Sequence, residues 1–368
     1  MQLTAAVVDE VDGAFTLTDL EMDEPGHGEV VVRLVASGVC DLDALARRGR
    51  LPFPLPGVLG HEGAGVVAAT GPGVSGIGPG DRVVIGWPYC ETCRHCRAGQ
   101  PRYCVRLSEL LTGGTRLDGA SALSRADGTP VSGHFFGQSS FATYALTTAA
   151  ALVPVPDGLP LAAMGPLACG IATGAGAIFN TVRPQAGTRL AVFGAGSFGL
   201  AAVMAARNSP ATRIIAVDRN EARLRLALDL GATHTVDSSR DDPVEAIADI
   251  CGGPVDYTLE CTGVPRVVRQ AADCVGMLGT CILIGGAPAG AEFSLDHVST
   301  LWGKRVIGIL GGGGRSHELI AGLMELYEQG RFPFDRLIEY YDLADVEQAM
   351  ACVAAGDVVK PVLRMPYC

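Results

Sequence analysis

Four cysteines, Cys90, Cys93, Cys96 and Cys104, lie within fifteen residues in the pattern C-x2-C-x2-C-x7-C, among Arg94, Arg97 and Arg102. Four thiolates at this spacing can close a tetrahedron around Zn²⁺ and leave no position for a substrate, which is the chemistry of a structural site. His95 lies inside the loop, but a complete thiolate set leaves it a solvated side chain. A second group is Gly194-Ala195-Gly196-Ser197-Phe198-Gly199. It follows the apolar run Leu190–Phe193 and opens an alanine-rich helical pattern, the context in which such a loop cradles a pyrophosphate. Gly194 permits the turn, Gly196 lets the phosphates approach, and Gly199 lets helix and strand pack; the helix N-terminus adds unpaired N–H groups. Asp218, nineteen residues after Gly199, ends the next strand pattern. A carboxylate there accepts from ribose hydroxyls and repels a 2′-phosphate, favouring NAD over NADP, an effect weakened by Arg219 next to it. A third group is Gly60-His61-Glu62-Gly63-Ala64-Gly65, with Cys40 and Cys169 in apolar settings elsewhere. Two thiolates and one imidazole with an open fourth position would make a catalytic zinc centre that polarises a substrate oxygen. Spacing alone does not bring these three together.

The elements that must position these residues fall into two textures. Before about residue 155 the chain is β-rich, with short apolar runs at Val30–Ala36, Gly63–Ala69 and Arg82–Ile85. The interval 105–140 reads as a long loop. From Arg189 strands alternate with helices: Arg213–Val217, the helix Glu221–Leu230, then Val255–Leu259 and Thr280–Ile284. That alternation means a parallel sheet covered on both faces. The helical pattern Ser316–Gln329 and the residues after it return to the first domain. The expected organisation is thus a β-rich catalytic domain (1–170 and 311–368) and a doubly wound domain (171–310).

Composition limits the function. Lys and Arg number 28 against 39 Asp and Glu, a net charge of −11, which excludes a phosphate-backbone binder. Hydrophobic residues are 48% and charged residues 18%, so the chain is not disordered. No signal-peptide pattern opens it, and the uncharged stretch Gly158–Val182 is interrupted by prolines and glycines and dominated by alanine, so buried structure is expected there instead of a membrane span. Twelve cysteines without a secretory signal point to a reducing compartment, the cytoplasm. Cys251, Cys261, Cys274, Cys281, Cys352 and Cys368 lack ligand spacing; most read as small apolar residues, and the terminal Cys368 as an exposed thiol.

The combination of GHEGAG, the four-cysteine cluster, Leu167-Ala168-Cys169-Gly170-Ile171-Ala172-Thr173-Gly174 and the glycine loop resembles the zinc-dependent medium-chain alcohol dehydrogenases along essentially the whole chain. Gly133-His134-Phe135-Phe136-Gly137-Gln138-Ser139-Ser140-Phe141 and Asp256-Tyr257-x-x-Glu260-Cys261-Thr262-Gly263 resemble the aryl-alcohol (benzyl alcohol) branch. The resemblance implies an α/β protein with a GroES-like catalytic domain and a Rossmann NAD-binding domain, carrying two zinc ions per chain. It implies Cys40, His61 and Cys169 as catalytic zinc ligands, Glu62 as a carboxylate that can approach the metal, and Asp43 as the partner that fixes the histidine tautomer. Phe198, Asp218 and Arg223 fall at cofactor positions, Thr173 near the nicotinamide and Lys360 at the pyrophosphate. Leu42, Trp87, Phe135 and Phe136 would line the substrate pocket.

This chain departs from the family at Cys40-Asp41-Leu42-Asp43, where a basic residue or histidine, then Ser or Thr, usually follow the cysteine. Leu42 replaces the hydroxyl that takes the alcohol proton, Leu45 stands where many members place a relay histidine, and Asp41 replaces a residue that helps neutralise pyrophosphate. The expected function is hydride transfer between NAD(H) and a primary aryl or allylic alcohol or aldehyde. The alternatives are a biosynthetic NAD(P)H-dependent reductase of a polarised C=N or C=C bond, a catalytically silent NAD(H)-binding protein, and a thiol-adduct formaldehyde dehydrogenase. A homodimer or homotetramer acting on a small molecule is expected, without nucleic-acid or membrane partners.

Overall fold

The computed structural model describes residues 1–366, and Cys368 lies outside them. The chain forms two compact units. The first comprises Met1–Cys169, Arg315–Glu328 and the chain from Asp335; the second comprises Gly170–Gly314 and Gln329–Phe334. The stretches 311–314 and 329–334 therefore belong with the second unit, where the sequence had assigned 311–368 to the first.

The first unit is built on two sheets. A five-stranded sheet runs in the order Gly57–Val58, Gln2–Val8, Phe15–Met22, Leu123–Ser124, Pro130–Val131. A seven-stranded sheet centres on Glu29–Gly38, which pairs antiparallel with Gly63–Thr70, Tyr144–Thr148 and Lys360–Arg364. Val30, Val32 and Leu34 are buried in one core with Val58, Phe141 and Leu363. The last strand of the chain is thus wedded to one of the first. This geometry sets the candidate centre, because Cys40 comes two residues after Glu29–Gly38 and His61 two residues before Gly63–Thr70. The interval 105–140 is not the loop its composition suggested. It holds a helix, Leu107–Thr112, two short strands and a 3₁₀ turn at Phe135–Gly137. Its strands are two residues long, too short for an alternating pattern to register.

The second unit carries six strands, all parallel, in the order His234–Asp237, Arg213–Asp218, Arg189–Phe193, Val255–Glu260, Val275–Leu283, Arg305–Gly308. In chain order this is 3-2-1-4-5-6, the dinucleotide-binding arrangement whose switch point falls beside the first strand. Ala191, Phe193, Ile215 and Val217 form its core with residues of the covering helices. Asn220 and Asp242 cap two of those helices by accepting from backbone N–H groups in the first turn. The uncharged stretch 158–182 forms short, largely buried helices, and no single helix among the described residues is long and apolar enough to cross a membrane.

Candidate active site and zinc centres

Gly60 must be glycine. Its φ is +89°, and a Cβ there would lie 2.5 Å from the backbone nitrogen of Phe141. The turn it makes delivers His61 into a fully buried position. Cys40 arrives as the N-cap of the helix Asp41–Arg47, and Cys169 at the end of the 3₁₀ turn Gly165–Ala168. Ligand atoms of Cys40, His61, Glu62 and Cys169 all lie within 4.8 Å of one another, and all four residues are buried. Sequence distance hid this convergence.

Asp43 organises the group. One carboxylate oxygen accepts from His61 Nδ1 at 2.9 Å and from Gly60 N at 3.1 Å, and the other from Cys40 N at 2.9 Å. It closes the helix N-terminus and fixes the imidazole at once. Because a carboxylate oxygen only accepts, Nδ1 carries a proton, and in the neutral ring Nε2 keeps a lone pair for a metal. Nε2 is buried with no hydrogen-bond partner among the described residues. A buried ring nitrogen within 4.8 Å of two thiol sulfurs is a donor set that a zinc ion would complete, so the residues fit the metal. The hydrogen bond from Cys169 pulls the Cys40 thiol well below its usual range although burial opposes it, and the same contact pushes Cys169 up. Burial disfavours the imidazolium of His61, yet Asp43 outweighs it and the shift is upward.

Glu62 and Lys360 form a buried pair. Lys360, which the resemblance places at the pyrophosphate, is 2% exposed and donates to both oxygens of Glu62, at 2.9 and 3.0 Å, and to Val39 O at 3.0 Å. Burial raises the Glu62 carboxyl to about 7 even with this cation beside it. Removing one partner of a buried pair strands the other charge, at a cost of about 3–5 kcal/mol. Lys360→Met is therefore expected to destabilise the protein by about that amount in a denaturant titration. A loss below about 1 kcal/mol, the range of an exposed pair, would show that the pair is not buried in solution.

The aromatic residues gather as the sequence suggested. Phe136 covers the His61 ring at 4.6 Å, Phe135 meets it edge-on at 5.6 Å, and Trp87 packs on Phe136 at 5.1 Å. What the sequence reading missed is how they are held. His134, Phe136 and Ser139 all take positive φ, a strained turn for side-chain-bearing residues. Gln138 clamps it, donating to His61 O and Ile85 O and accepting from Gly63 N, while Ser139 Oγ accepts from Phe135 N. The buried polar residues of the GQSS motif were the available signal. Leu42 is half-buried against the core of this unit.

In the four-cysteine lobe, Cys93 and Cys96 sulfurs are 3.5 Å apart and those of Cys90 and Cys96 4.0 Å. Sulfurs on a zinc tetrahedron with bonds of about 2.3 Å stand roughly 3.8 Å apart, so this set also fits. His95 is outside the cluster; its Nε2 accepts from Arg94 Nε. Cys93→Ser is expected to lower zinc by one ion per chain and to lower Tm, read by metal analysis and calorimetry. Full metal content and an unchanged Tm would remove the structural assignment.

In the second unit, Gly194 has φ +94°, and a Cβ on Gly199 would lie 1.8 Å from Gly194 O. At Gly196 a Cβ would meet nothing within 4 Å, leaving the room a pyrophosphate needs. Asp218 accepts from Ala195 N at 2.6 Å and from Arg219 N and Asn220 N. It therefore braces the glycine loop as well as ending its strand. Phe198 lies in the first turn of the helix Ser197–Arg207 and packs on Gly170, Thr173 is buried in the helix Gly170–Gly176, and Arg223 lies in the first turn of the helix Glu221–Leu230. Glu260, buried at the end of its strand, accepts from Thr262 N and Gly263 N, which explains the ECTG turn.

Comparisons with known proteins agree with this construction. Residues 26–157 match the alcohol dehydrogenase GroES-like domain and residues 198–329 the zinc-binding dehydrogenase domain. A geraniol dehydrogenase of Castellaniella defragrans is 40% identical over 98% of this chain and 96% of its own length. Among solved structures, an alcohol dehydrogenase zinc-binding domain protein from Burkholderia ambifaria is 45% identical with a TM-score of 0.98, covering 100% of both chains. Benzyl alcohol dehydrogenase from Acinetobacter calcoaceticus is 39% identical with a TM-score of 0.96 over 99% of both chains. With two thiol-rich zinc sites and a dinucleotide fold in one chain, the protein belongs to the zinc-dependent medium-chain alcohol dehydrogenases, enzymes of alcohol oxidation that use zinc and NAD(P).

Proposed function

We propose that this chain interconverts primary aryl or allylic alcohols and their aldehydes with NAD(H). The observation that carries the reading is the aromatic wall of Phe135, Phe136 and Trp87 packed on the His61 ring. It offers flat apolar surface to a conjugated substrate beside the metal ligands. The names of the geraniol and benzyl alcohol dehydrogenases support the same class. When bound, zinc polarises the substrate oxygen and the nicotinamide exchanges hydride with the carbinol carbon. Cys40, His61 and Cys169 would hold the metal. Asp43 keeps His61 in the tautomer that can ligate, and Lys360 holds the Glu62 carboxylate beside it. Leu42 moves no proton, so on this reading water takes the alcohol proton.

That last point favours a second reading, reduction of a C=N or C=C bond, in which no alcohol proton has to leave. One panel separates them: benzyl, cinnamyl and geranyl-type alcohols with NAD, against aldehydes, imines and enals with NADH. Conjugated primary alcohols and aldehydes used well ahead of ethanol support the first reading. Turnover confined to imines or enals transfers the assignment to the second.

NAD is the cofactor we favour over NADP, on the carboxylate of Asp218. Asp218→Ser should narrow the NAD preference in kcat/KM and also weaken binding of both cofactors, because Ala195 N loses its brace. Equal use of NAD and NADP by the unmodified protein would remove that role. We also propose a homo-oligomer. Strand Arg305–Gly308 leaves one edge open, and Leu278, Leu301 and Trp302 are exposed in the same unit. The eleven described cysteines are all free, which supports a reducing location, the cytoplasm.

A further inference from the structure

Arg102 sits in the turn Pro101–Tyr103, between two cysteines of the four-thiolate lobe. An arginine in such a surface loop ordinarily reaches into water. Here the residue is 2% exposed. Its Cζ lies 4.6 Å from the centroid of the Trp87 ring, and Trp87 in turn packs on Phe136, which covers His61. A buried cation therefore stands at the far end of the aromatic row that begins at the metal ligands.

No described carboxylate neutralises it. Among the described residues Arg102 makes no ion pair, and the acidic groups whose field it feels are the Cys169 thiol and the Tyr89 phenol. Its Nε and Nη2 are buried without an acceptor in reach, and so is Trp87 Nε1. The cation–π contact offsets only part of the cost of desolvating a guanidinium. The identity of the two idle nitrogens is informative. Nε–H and Nη2–H point in parallel along one edge of the guanidinium, the edge that takes both oxygens of a carboxylate. The three buried donors Arg102 Nε, Arg102 Nη2 and Trp87 Nε1 have no acceptor among the described residues, and the guanidinium lies over the Trp87 ring, so an anionic oxygen is the group they lack.

We propose that Arg102, with Trp87 Nε1, receives a carboxylate on the substrate at the end remote from the reacting carbon. This inference rests on the alcohol and aldehyde reading above and narrows its substrates to carboxylated aryl alcohols and aldehydes. Arg102 binds and orients; it takes no part in hydride or proton transfer.

The test compares 4-(hydroxymethyl)benzoate with 4-(hydroxymethyl)benzamide, which has nearly the same shape and no charge. The unmodified protein should favour the acid in kcat/KM by about 10²-fold or more, because the amide leaves a buried fork unpaired. In R102Q the ratio should fall to about one or reverse, and R102K, which keeps the charge and loses the fork, should fall between. Binding is read separately by fluorescence. The chain has two tryptophans, Trp87 and Trp302, so W302F leaves Trp87 as reporter. The acid should quench its emission saturably without nucleotide, and R102Q in the same background should abolish the quench while retaining two zinc ions per chain. Equal use of acid and amide by the unmodified protein, or a quench unchanged in R102Q, overturns the proposal and leaves Arg102 a packed cation served by water. If no alcohol is oxidised but the Arg102-dependent quench persists, the alcohol reading fails and the carboxylate receptor stands.

Discussion

His61→Ala is expected to reduce turnover by at least about 10³-fold, since Lewis-acid polarisation supplies several kcal/mol of transition-state stabilisation. Zinc should fall from two ions per chain to one. The fold should survive, because Asp43 still accepts from Gly60 N and Cys40 N after the imidazole is gone. NAD binding should survive as well, since the glycine loop and Asp218 belong to the other unit. The same experiment on Cys93 has the opposite profile, loss of stability with the catalytic ligands intact. Metal analysis, calorimetry and nucleotide-fluorescence titration on both variants separate the two centres. A His61→Ala protein that keeps two zinc ions and its activity would show that the metal sits elsewhere.

The second large effect is expected at Leu42. A positioned proton-transfer group is worth about 10²–10⁴-fold, and Leu42 supplies none at its position in Cys40-Asp41-Leu42-Asp43. Alcohol oxidation by the unmodified protein should be slow near neutral pH and rise steeply towards alkaline pH, where hydroxide removes the proton. Leu42→Thr should raise kcat at pH 7 by about 10²-fold and flatten that profile. The helix Asp41–Arg47 tolerates the change, because the second position of a helix costs threonine only about 0.5 kcal/mol in propensity. Lost apolar contact should appear in KM, so KM and kcat are measured separately. Fast oxidation at pH 7 without the substitution, and no gain with it, would mean that another relay serves the site. If the natural reaction reduces C=N or C=C, the substitution should leave that rate unchanged or lower it.

Local features were legible in the sequence and distant ones were not. The four cysteines and the glycine loop announce themselves because every participant lies within fifteen residues and the flanking strand and helix have clear periods. Cys40, His61 and Cys169 were visible only through resemblance, since three separate turns bring them together. The partner of Lys360 stayed hidden for the same reason, since nothing in its neighbourhood reveals Glu62, 298 residues away. Arg102 escaped notice because three arginines in a cysteine loop read as a solvated surface, and the indole that draws one of them inward is fifteen positions upstream. Asp43 was paired with His61 by resemblance and does meet its Nδ1, but its capping of the helix and bracing of Gly60 were not foreseen.

The pairing of Glu62 with Lys360 also sets an order of events during synthesis. At about 5–20 residues per second, the 298 residues between them take roughly 15–60 s to emerge. Throughout that interval the growing chain lacks both the strand Lys360–Arg364 that flanks Glu29–Gly38 and the cation that makes a buried Glu62 tolerable. The four-cysteine lobe has no such dependence, since its ligands leave the ribosome almost together. The two zinc ions should therefore be acquired in sequence, the lobe's first and the centre's once Lys360 has joined Glu62. When zinc is scarce, the chains that accumulate should carry the first ion and await the second, folded and silent until the metal supply recovers.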